Sequence, residues 1–225
     1  MIKAKQITKL YQDGTGEVHA VDSADLDINE GDFVLIVGRS GSGKSTLLSV
    51  LGGLTRPSSG NVVLDERDIW SLSDSELSSL RANDFGFVFQ FSGLIQTLNT
   101  LENVMLPAIF STEKRDVRKR ATELLESLGI GNKAGSYPSQ LSGGEMKRVA
   151  IARSLINDPR IILADEPTGD LDVDTEREIM ELLRGINRTG KTVMVVTHNP
   201  ELALYAGRVL RMEKGKITEI TTRGA

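Results

Sequence analysis

GRSGSGKS, at residues 38–45, has the form G-x-x-x-x-G-K-[ST] and joins two contrasting segments. Before it, FVLIV at residues 33–37 is a short apolar run typical of a buried strand. After it, STLLSVLGGL has a helical pattern. A glycine-rich loop between a strand and a helix binds phosphates in α/β nucleotide-binding proteins. The sequence therefore predicts an α/β fold that binds a nucleoside triphosphate.

Each residue type in this loop has a physical reason. Glycines let backbone N–H groups turn towards an anion, and the helix N-terminus adds the positive end of its dipole. Lys44 can reach the β- and γ-phosphates, and the Ser45 hydroxyl can bind Mg²⁺. The alternative, a glycine-rich turn with a chance lysine, does not account for the strand and helix on either side. The predicted nucleotide contacts come from the whole loop: Gly38, Arg39, Ser40, Gly41, Ser42, Gly43, Lys44, Ser45 and Thr46.

Composition limits the other possibilities. The chain has 225 residues, is 39% hydrophobic and 26% charged, and carries a formal net charge of -4. This is ordinary for a globular protein and gives no dominant basic surface, so we expect no nucleic-acid partner. The absence of cysteine excludes disulfides and cysteine catalysis, and fits a reducing cytoplasm. The apolar runs are far shorter than a membrane span, and MIKAKQITKLY lacks the apolar core of a signal peptide.

Further strands are predicted on both sides of the loop. Residues 1–37 indicate short strands, with the turn NEGD between VHAVDSADLDI and FVLIV, and GNVVLDERDI indicates one more strand. RIILAD and TVMVVTH are apolar runs that end in polar residues, as buried parallel strands do. The chain closes with RVLRMEKGKITEI, a predicted hairpin that turns at Lys214 and Gly215.

Two amphipathic helices are predicted from the 3.6-residue period. The first spans residues 113–129, with one apolar face: Val117, Ala121, Leu124, Leu125 and Leu128. Its other face is basic and is interpreted as solvated rather than as a binding patch: Lys114, Arg115, Arg118, Lys119 and Arg120. The second helix carries Ile179, Leu182, Leu183 and Ile186 on one face. The layout is an α/β core interrupted by a mainly helical insertion at residues 91–158.

Two acids and a histidine follow predicted strands. IILADEP places Asp165 and Glu166 at the carboxyl end of a strand, the edge at which open α/β sheets bind ligands. Asp165 is expected to hold Mg²⁺ through its hydration shell, and Glu166 to polarise the attacking water. Alone, such acids are commonly a solvated turn, but the phosphate loop favours the functional interpretation. His198 closes TVMVVTH and is expected near the γ-phosphate, whereas His19 is interpreted as structural.

An unusual helix start occurs in LSGGE, residues 141–145. Ser142 and Glu145 form an S-x-x-E capping box, in which each side chain satisfies a backbone N–H group. Capping does not require Gly143 and Gly144, and each glycine costs a helix up to about 1 kcal/mol relative to alanine. We therefore expect another group to come close to this helix end.

Five motifs occur in one order: GRSGSGKST, FVFQ, LSGGE, ILADEPTGDLD and VTH. Together they resemble the nucleotide-binding subunit of ABC transporters, over essentially the whole chain, and LSGGE separates that family from other P-loop ATPases. The surrounding sequence is most similar to the branch that powers lipoprotein release, macrolide export and antimicrobial-peptide export. The resemblance implies a P-loop NTPase core with a mainly parallel sheet, an N-terminal antiparallel β subdomain and an inserted α-helical subdomain.

The resemblance also implies one ABC-type ATPase domain over residues 1–225. The nucleotide-binding core and β subdomain would occupy residues 1–90 and 159–225, and the helical signature subdomain residues 91–158. Its cofactors would be ATP and Mg²⁺.

The resemblance assigns roles to matching residues. Tyr11 would stack on adenine, although an ordinary strand aromatic is the alternative. Gln90 would sense Mg²⁺ and the attacking water, so that the metal site comprises Ser45, Gln90 and Asp165. Catalysis would use Glu166 as the base and His198 as the switch histidine, together with Gln90 and Lys44. Residues 170–172 would form the loop exchanged between subunits.

A head-to-tail homodimer on ATP binding is implied as well. Ser142, Gly143 and Gly144 of one chain would approach the γ-phosphate bound by the other chain, which would account for the two glycines. An integral membrane permease would dock near the segment after Gln90. The subunit would thus be cytoplasmic and held on the cytoplasmic face of the membrane through this partner.

Several positions differ from close relatives. Arg39 stands where proline is frequent, Lys147 replaces a common glutamine, and Asn199 replaces a common aspartate. After Gln90 the chain reads Phe-Ser-Gly at residues 91–93, with Gln96 at a common proline position. The last differences border the implied permease groove, so they bear on the partner rather than on catalysis.

Two other functions remain compatible with an ABC-type ATPase. One is a soluble ATPase that acts on DNA, the ribosome or cofactor assembly, but such proteins usually carry tandem domains, a coiled coil or a basic extension. The other is a nucleotide-dependent scaffold, against which the intact Glu166 and His198 argue. We favour the transporter subunit over both.

Overall fold

Two β-sheets form the framework of the protein. The computed structural model describes residues 1–14, 16–111 and 116–220. In chain order the strands are β1 Ile2–Asp13, β2 Gly16–Ile28, β3 Phe33–Val37, β4 Ser59–Leu64, β5 Arg67–Asp68, β6 Phe85–Val88, β7 Ile161–Asp165, β8 Thr192–Thr197, β9 Arg208–Glu213 and β10 Lys216–Ile220.

The two sheets differ in strand direction. The first is antiparallel, with the order β2-β1-β4-β5. The second has six strands in the order β10-β9-β3-β8-β7-β6. In it β9, β3, β8, β7 and β6 are parallel, and only the hairpin partner β10 is antiparallel. The carboxyl ends of β3, β7 and β8 therefore meet at one edge, where the phosphate loop, the acids and His198 follow them.

Helices and 3₁₀ turns connect the strands. The helices are α1 Lys44–Leu51, α2 Asp74–Asp84, α3 Thr100–Met105, α4 Val117–Ser127, α5 Gly143–Leu155 and α6 Val173–Arg188. The 3₁₀ turns are Ile69–Ser71, Leu106–Phe110, Gly131–Lys133, Pro138–Gln140 and Pro200–Tyr205. No helix in the described ranges is both long and apolar enough to cross a membrane.

The buried strand β3 separates two hydrophobic layers. Its alternate residues Phe33, Leu35 and Val37 pack with the apolar faces of α3 to α6. Val34 and Ile36 point the other way, towards α1 and the antiparallel sheet. Because successive strand residues face opposite sides of a sheet, FVLIV can be apolar throughout only when both faces are covered. The layout is thus an α/β sheet covered on both faces.

Most of the predicted elements are confirmed. Residues 1–37 form three strands, RIILAD and TVMVVTH contain β7 and β8, and β9 and β10 form the predicted hairpin. Lys214 and Gly215 both have positive φ, 47° and 82°, as a tight two-residue hairpin turn requires. The apolar residues of α6 lie on one face, and Ile179, Leu183 and Ile186 are buried.

Some elements differ from the sequence prediction. GNVVLDERDI is not one strand but a hairpin of β4 and β5, which turns at Asp65 and Glu66, both with positive φ. The sequence pattern does not indicate α2, because its polar sequence DSELSSLRAND shows little amphipathic period, although Ser73 and Glu76 cap it with a full capping box. The four residues of β6 are too few to show a period, so no strand is predicted there.

The helix predicted at residues 113–129 is observed as α4. Its predicted apolar face is confirmed, since Ala121, Leu124, Leu125 and Leu128 are buried. Lys114 and Arg115 lie outside the described residues. On the basic face Arg118 and Lys119 are exposed, in agreement with a solvated surface. His19, interpreted as structural, has an exposed side chain 3.5 Å from Glu17.

Candidate nucleotide-binding site

Close contacts within the chain require glycine at two positions of the phosphate loop. A Cβ on Gly38 would collide with the carbonyl oxygen of Met212, and a Cβ on Gly43 with that of Ala20. Gly41 meets nothing nearby but has φ of 77°, which side chains rarely adopt. The loop is also held from outside, because the Gly215 N–H donates to the Ser42 carbonyl over 3.0 Å. Strands β2 and β9 and the β9–β10 turn therefore shape this loop.

Helix α1 begins at the end of the loop without a side-chain cap. Its N-cap residue is Gly43, which has no side chain that could accept from the first turn. Among the six α-helices of the described residues, the other five each have a side-chain acceptor at this position. The first N–H groups of a helix have no partner within it. At α1 they are therefore available to an anion, with the helix dipole adding attraction.

Lys44, the first residue of α1, is buried. Its Nζ donates to the carbonyls of Gly38 at 2.8 Å and Arg39 at 3.2 Å, and lies 3.6 Å from Glu166 Oε1. The ammonium group is thus held in the loop while remaining next to the acidic strand end. This is the position from which it can reach phosphate oxygens cradled by the loop.

The predicted metal-binding pair is in contact. Ser45 Oγ donates to Asp165 Oδ1 over 2.7 Å, across 120 residues of sequence. Burial raises the pKa of Asp165, and the nearby charge of Glu166 raises it further, while the Ser45 hydrogen bond and Lys44 act in the opposite direction. A hydroxyl and a carboxylate beside a phosphate cradle are oxygen ligands of the kind that Mg²⁺ prefers, so these residues fit the ion.

Glu166 and His198 form a pair at the adjoining strand ends. Glu166 Oε2 accepts from the backbone N–H of His198 at 3.2 Å and lies 2.9 Å from its Nδ1. An ionised carboxylate only accepts, so a hydrogen bond between these two atoms requires the hydrogen on Nδ1. Glu166 is buried, whereas the His198 side chain is 55% exposed, so the ring can meet a ligand. Glu166 also has φ of 44°, a strained conformation of the kind found at functional sites.

Gln90 lies beside the turn that follows Glu166. Its Nε2 is 3.9 Å from where a Cβ on Gly169 would stand. The buried Lys147 of α5 donates to the backbone carbonyls of Gln90 and Phe89, the latter at 3.2 Å. Burial lowers the pKa of Lys147, and the charges of Asp170 and Asp165 oppose this change. The Lys147 side chain of α5 therefore holds the backbone at Gln90.

Tyr11 lies at the margin of the loop. It pairs with Val18 on β2, two residues before Ala20, whose carbonyl touches Gly43. Tyr11 and Val18 are each 44% exposed. The Lys9 ammonium lies 5.1 Å from the centre of the tyrosine ring. An exposed aromatic ring in this position can stack on a base.

Ser142, Gly143 and Gly144 lie at the N-terminus of α5, and their contacts differ from those expected for a phosphate contact alone. Ser142 caps α5 as predicted, accepting from the Glu145 N–H at 3.2 Å, while the Glu145 carboxylate accepts from the Ser142 N–H at 2.8 Å. A Cβ on Gly144 would lie only 2.6 Å from the Thr175 methyl group of the same chain. A Cβ on Gly143 would meet only the flexible end of Leu171, at 3.2 Å. Packing within the chain therefore accounts for Gly144, and only Gly143 still needs an external reason.

Four residues contribute to the site without a role that the sequence pattern predicts. The carbonyls of Ala20 and Met212 shape the loop, and no sequence signal marks them. Glu176 of α6 bonds to residues beside both Glu166 and His198, and nothing in the sequence marked it. Lys147 was noticeable only as a departure from related sequences.

Comparison with known proteins places the chain in a family. The family model described as ABC transporter matches residues 21–169, more than half of the chain. The chain belongs to the ABC transporter family.

Similar proteins agree with this ABC assignment. The chain is 45% identical over 219 residues to the macrolide export ATP-binding/permease protein MacB of Chlorobaculum tepidum, covering 97% of this chain and 34% of MacB. It thus spans about a third of the length of this relative. It is also 45% identical over 224 residues to the uncharacterized ABC transporter ATP-binding protein MJ1508 of Methanocaldococcus jannaschii, covering 99% and 100% of the two chains.

Solved ABC structures share the fold. The ATP-binding cassette MJ0796, solved as a dimer in a post-hydrolysis state with ADP and Pi, matches with a TM-score of 0.92 at 44% identity over all of both chains. The cbiO1 component of the cbiONQ complex of Clostridium perfringens matches with a TM-score of 0.84 at 31% identity, over 96% of this chain and 86% of that one. The predicted ABC family and the predicted α/β fold are thereby confirmed.

Proposed function

We propose that two copies of this chain bind two ATP molecules with Mg²⁺ between them, head to tail, and that hydrolysis drives a separate membrane subunit. The observation that carries the proposal is the uncapped N-terminus of α1, which opens next to Lys44, Asp165 and the Glu166–His198 pair. The similarity to the macrolide export protein MacB favours an export system, and the motif resemblance also includes the branch that powers lipoprotein release.

Different residues of the site bind the phosphates, the adenine and the metal ion. The loop amides and Lys44 bind the phosphates, and Tyr11 stacks on adenine. Ser45, Asp165 and Gln90 would hold Mg²⁺, which when bound would neutralise charge on the phosphate oxygens.

Glu166 is the general base of this site. Its Oε1 lies 3.6 Å from Lys44 Nζ, so a water beside it is also near the phosphate that Lys44 contacts. Glu166 orients this water and accepts its proton, while the exposed His198 ring contacts the γ-phosphate. Phosphoryl transfer needs positioning and charge stabilisation above all, and this arrangement supplies both.

A partner chain completes each site. Ser142 and Gly143 are exposed, so a phosphate held by a second copy can approach this end of α5. The exposed Asp170 and Asp172, with Leu171 between them, follow the Glu166 turn and form the segment exchanged at the interface. The dimeric structure of MJ0796 supports this arrangement.

The membrane partner docks beside the segment after Gln90. Phe91 is 78% exposed, and Ile109 and Phe110 are each 73% exposed. Arg153 of α5 bonds to the Ser92 and Gly93 carbonyls, and Asn157, one turn on, bonds to the Pro107 carbonyl. Both exposed apolar segments therefore lie at the same end of α5. Apolar surface of this kind favours a protein partner.

The division of the chain follows from this assignment. Residues 1–90 and 159–225 form the nucleotide-binding core with the β subdomain, and residues 91–158 form the helical subdomain that meets the permease, all within one ATPase domain. The subunit lies on the cytoplasmic face of the membrane, held by this permease. Co-purification with a membrane protein after detergent extraction tests this location.

Dilution tests the composite site. ATPase activity of the isolated chain should rise faster than linearly with protein concentration at low concentration, because each site needs two chains. The measurement is specific activity over a dilution series, with light scattering to give the oligomeric state. Constant specific activity in a sample that is monomeric by scattering would exclude the composite site.

A further inference from the structure

A second bridge joins the two strand ends that carry Glu166 and His198. Thr168 is buried, and its Oγ1 donates to Glu176 Oε2 over 2.9 Å. Asn199 Nδ2 donates to the other oxygen, Glu176 Oε1, over 3.1 Å. One carboxylate on α6 thus bonds to the residue two positions after Glu166 and to the residue directly after His198.

The orientation of the Asn199 amide is fixed by another bond. Asn199 Oδ1 accepts the backbone N–H of Glu201 at 3.0 Å and caps the 3₁₀ turn Pro200–Tyr205. The amide nitrogen must therefore face Glu176. An aspartate at this position could keep the cap, but its second oxygen would face the Glu176 carboxylate, and two close acids repel.

We propose that Glu176 is a positioning residue, matched to Asn199, that sets the distance between the Glu166 turn and the His198 loop. The direct contact of Glu166 with His198 depends on this distance, because both of its hydrogen bonds cross between the same two segments.

This inference rests on the proposed ATPase function, and it predicts which kinetic constant changes. Glu176 makes no bond to the phosphate loop among the hydrogen bonds of the described residues, so the affinity for ATP should be unaffected. The orientation of the base and of the switch histidine should change instead. We therefore expect the effect in kcat rather than in KM for ATP.

A double-mutant cycle tests the pair. Asn199→Asp places two carboxylates against each other, and kcat should fall by a factor of about 3 to 100, the range that coupled neighbours show. Adding Glu176→Gln should restore most of kcat, because the glutamine Nε2 can donate to the carboxylate introduced at position 199 while its Oε1 still accepts from Thr168. Glu176→Gln alone should reduce kcat less, since it loses only the bond to Asn199.

A matched control separates this role from general charge effects. Asp174→Asn removes the same charge from the same first turn of α6, where the Asp174 side chain is 90% exposed. It should leave kcat unchanged. Thermal unfolding of every variant is measured in parallel, because a purely structural role would lower the melting temperature without changing kcat per folded enzyme.

The outcomes decide between the possibilities. If Asn199→Asp has the kcat of the wild type, or if Glu176→Gln does not rescue it, the proposal is wrong. If Asn199→Asp does not fold, recovery of folding and kcat in the double variant supports the pair, and failure to recover overturns it. A wild-type chain that does not hydrolyse ATP contradicts the proposed function instead, and the coupling in melting temperature still tests the contact.

Discussion

The N-termini of α1 and α5 are both expected to face phosphate, yet the structure builds them in opposite ways. At α1 the N-cap is Gly43, no side chain satisfies the first turn, and contacts with Ala20 and Met212 fix the loop. At α5 the reciprocal bonds of Ser142 and Glu145 satisfy two N–H groups before any ligand arrives.

This difference indicates how the two ends are used. The α1 end gains hydrogen bonds that it otherwise lacks, so it can bind nucleotide within a single chain. The α5 end is already stable in one chain, and in the proposed dimer contact with phosphate would be an addition that a second chain brings. Under this proposal, ATP binding by one chain and dimerisation on ATP would be separate steps.

The largest expected effect comes from leaving both helix ends intact and removing the base. Glu166→Gln should bind ATP and dimerise, but hydrolyse it about 10²–10⁴-fold more slowly, the range for loss of a general base. Nucleotide binding by calorimetry and turnover by phosphate release measure the two parts. Near-normal turnover would remove Glu166 from this role.

A mixture of two inactive variants tests whether the α1 end and the α5 end of one site come from different chains. Lys44→Ala damages the α1 site and should weaken ATP binding, whereas Ser142→Arg damages the α5 end. If α5 serves the partner's ATP, a heterodimer contains one intact site, and mixing should restore up to about a quarter of wild-type activity after random assortment.

The control for this experiment is wild type mixed with each variant, which shows that single sites turn over. Heterodimers are verified with two affinity tags. No recovery in verified heterodimers, with single sites active in the control, would show that α5 does not act on the partner's nucleotide.

The two signature glycines should respond differently to alanine. Gly144→Ala puts a methyl group 2.6 Å from the Thr175 side chain, and should destabilise the fold by about 1–3 kcal/mol, as overpacking does. Gly143→Ala meets only Leu171 and gains helix propensity, so the free energy of unfolding should stay within about 1 kcal/mol of the wild type. Denaturant unfolding measures both.

ATPase activity tests the role of Gly143, whose alanine variant is expected to remain stable. If a partner phosphate approaches Gly143, its alanine variant should lose ATPase activity while remaining stable, an effect that packing within the chain cannot produce. Full activity of a stable Gly143→Ala variant would mean that no phosphate comes close to this residue.

The sequence by itself determined the features that depend on local patterns. The loop between β3 and α1, the apolar strands, the α6 face and the α5 capping box each follow from residue spacing, and the structure confirms these structural elements. Period and spacing are properties of neighbouring residues, so they can be recognised before folding. For the same reason α2 and β6 were missed, since one lacks a clear period and the other is too short for one.

Only the tertiary structure decided the contacts that span long stretches of sequence. Gly144 lies against Thr175, Lys147 reaches the backbone at Gln90, and Glu176 joins Thr168 to Asn199. Each depends on how α5 and α6 pack against the strand ends, and a shift of an ångström would make or break it. Sequence spacing does not encode such distances, because they result from the packing of the whole core.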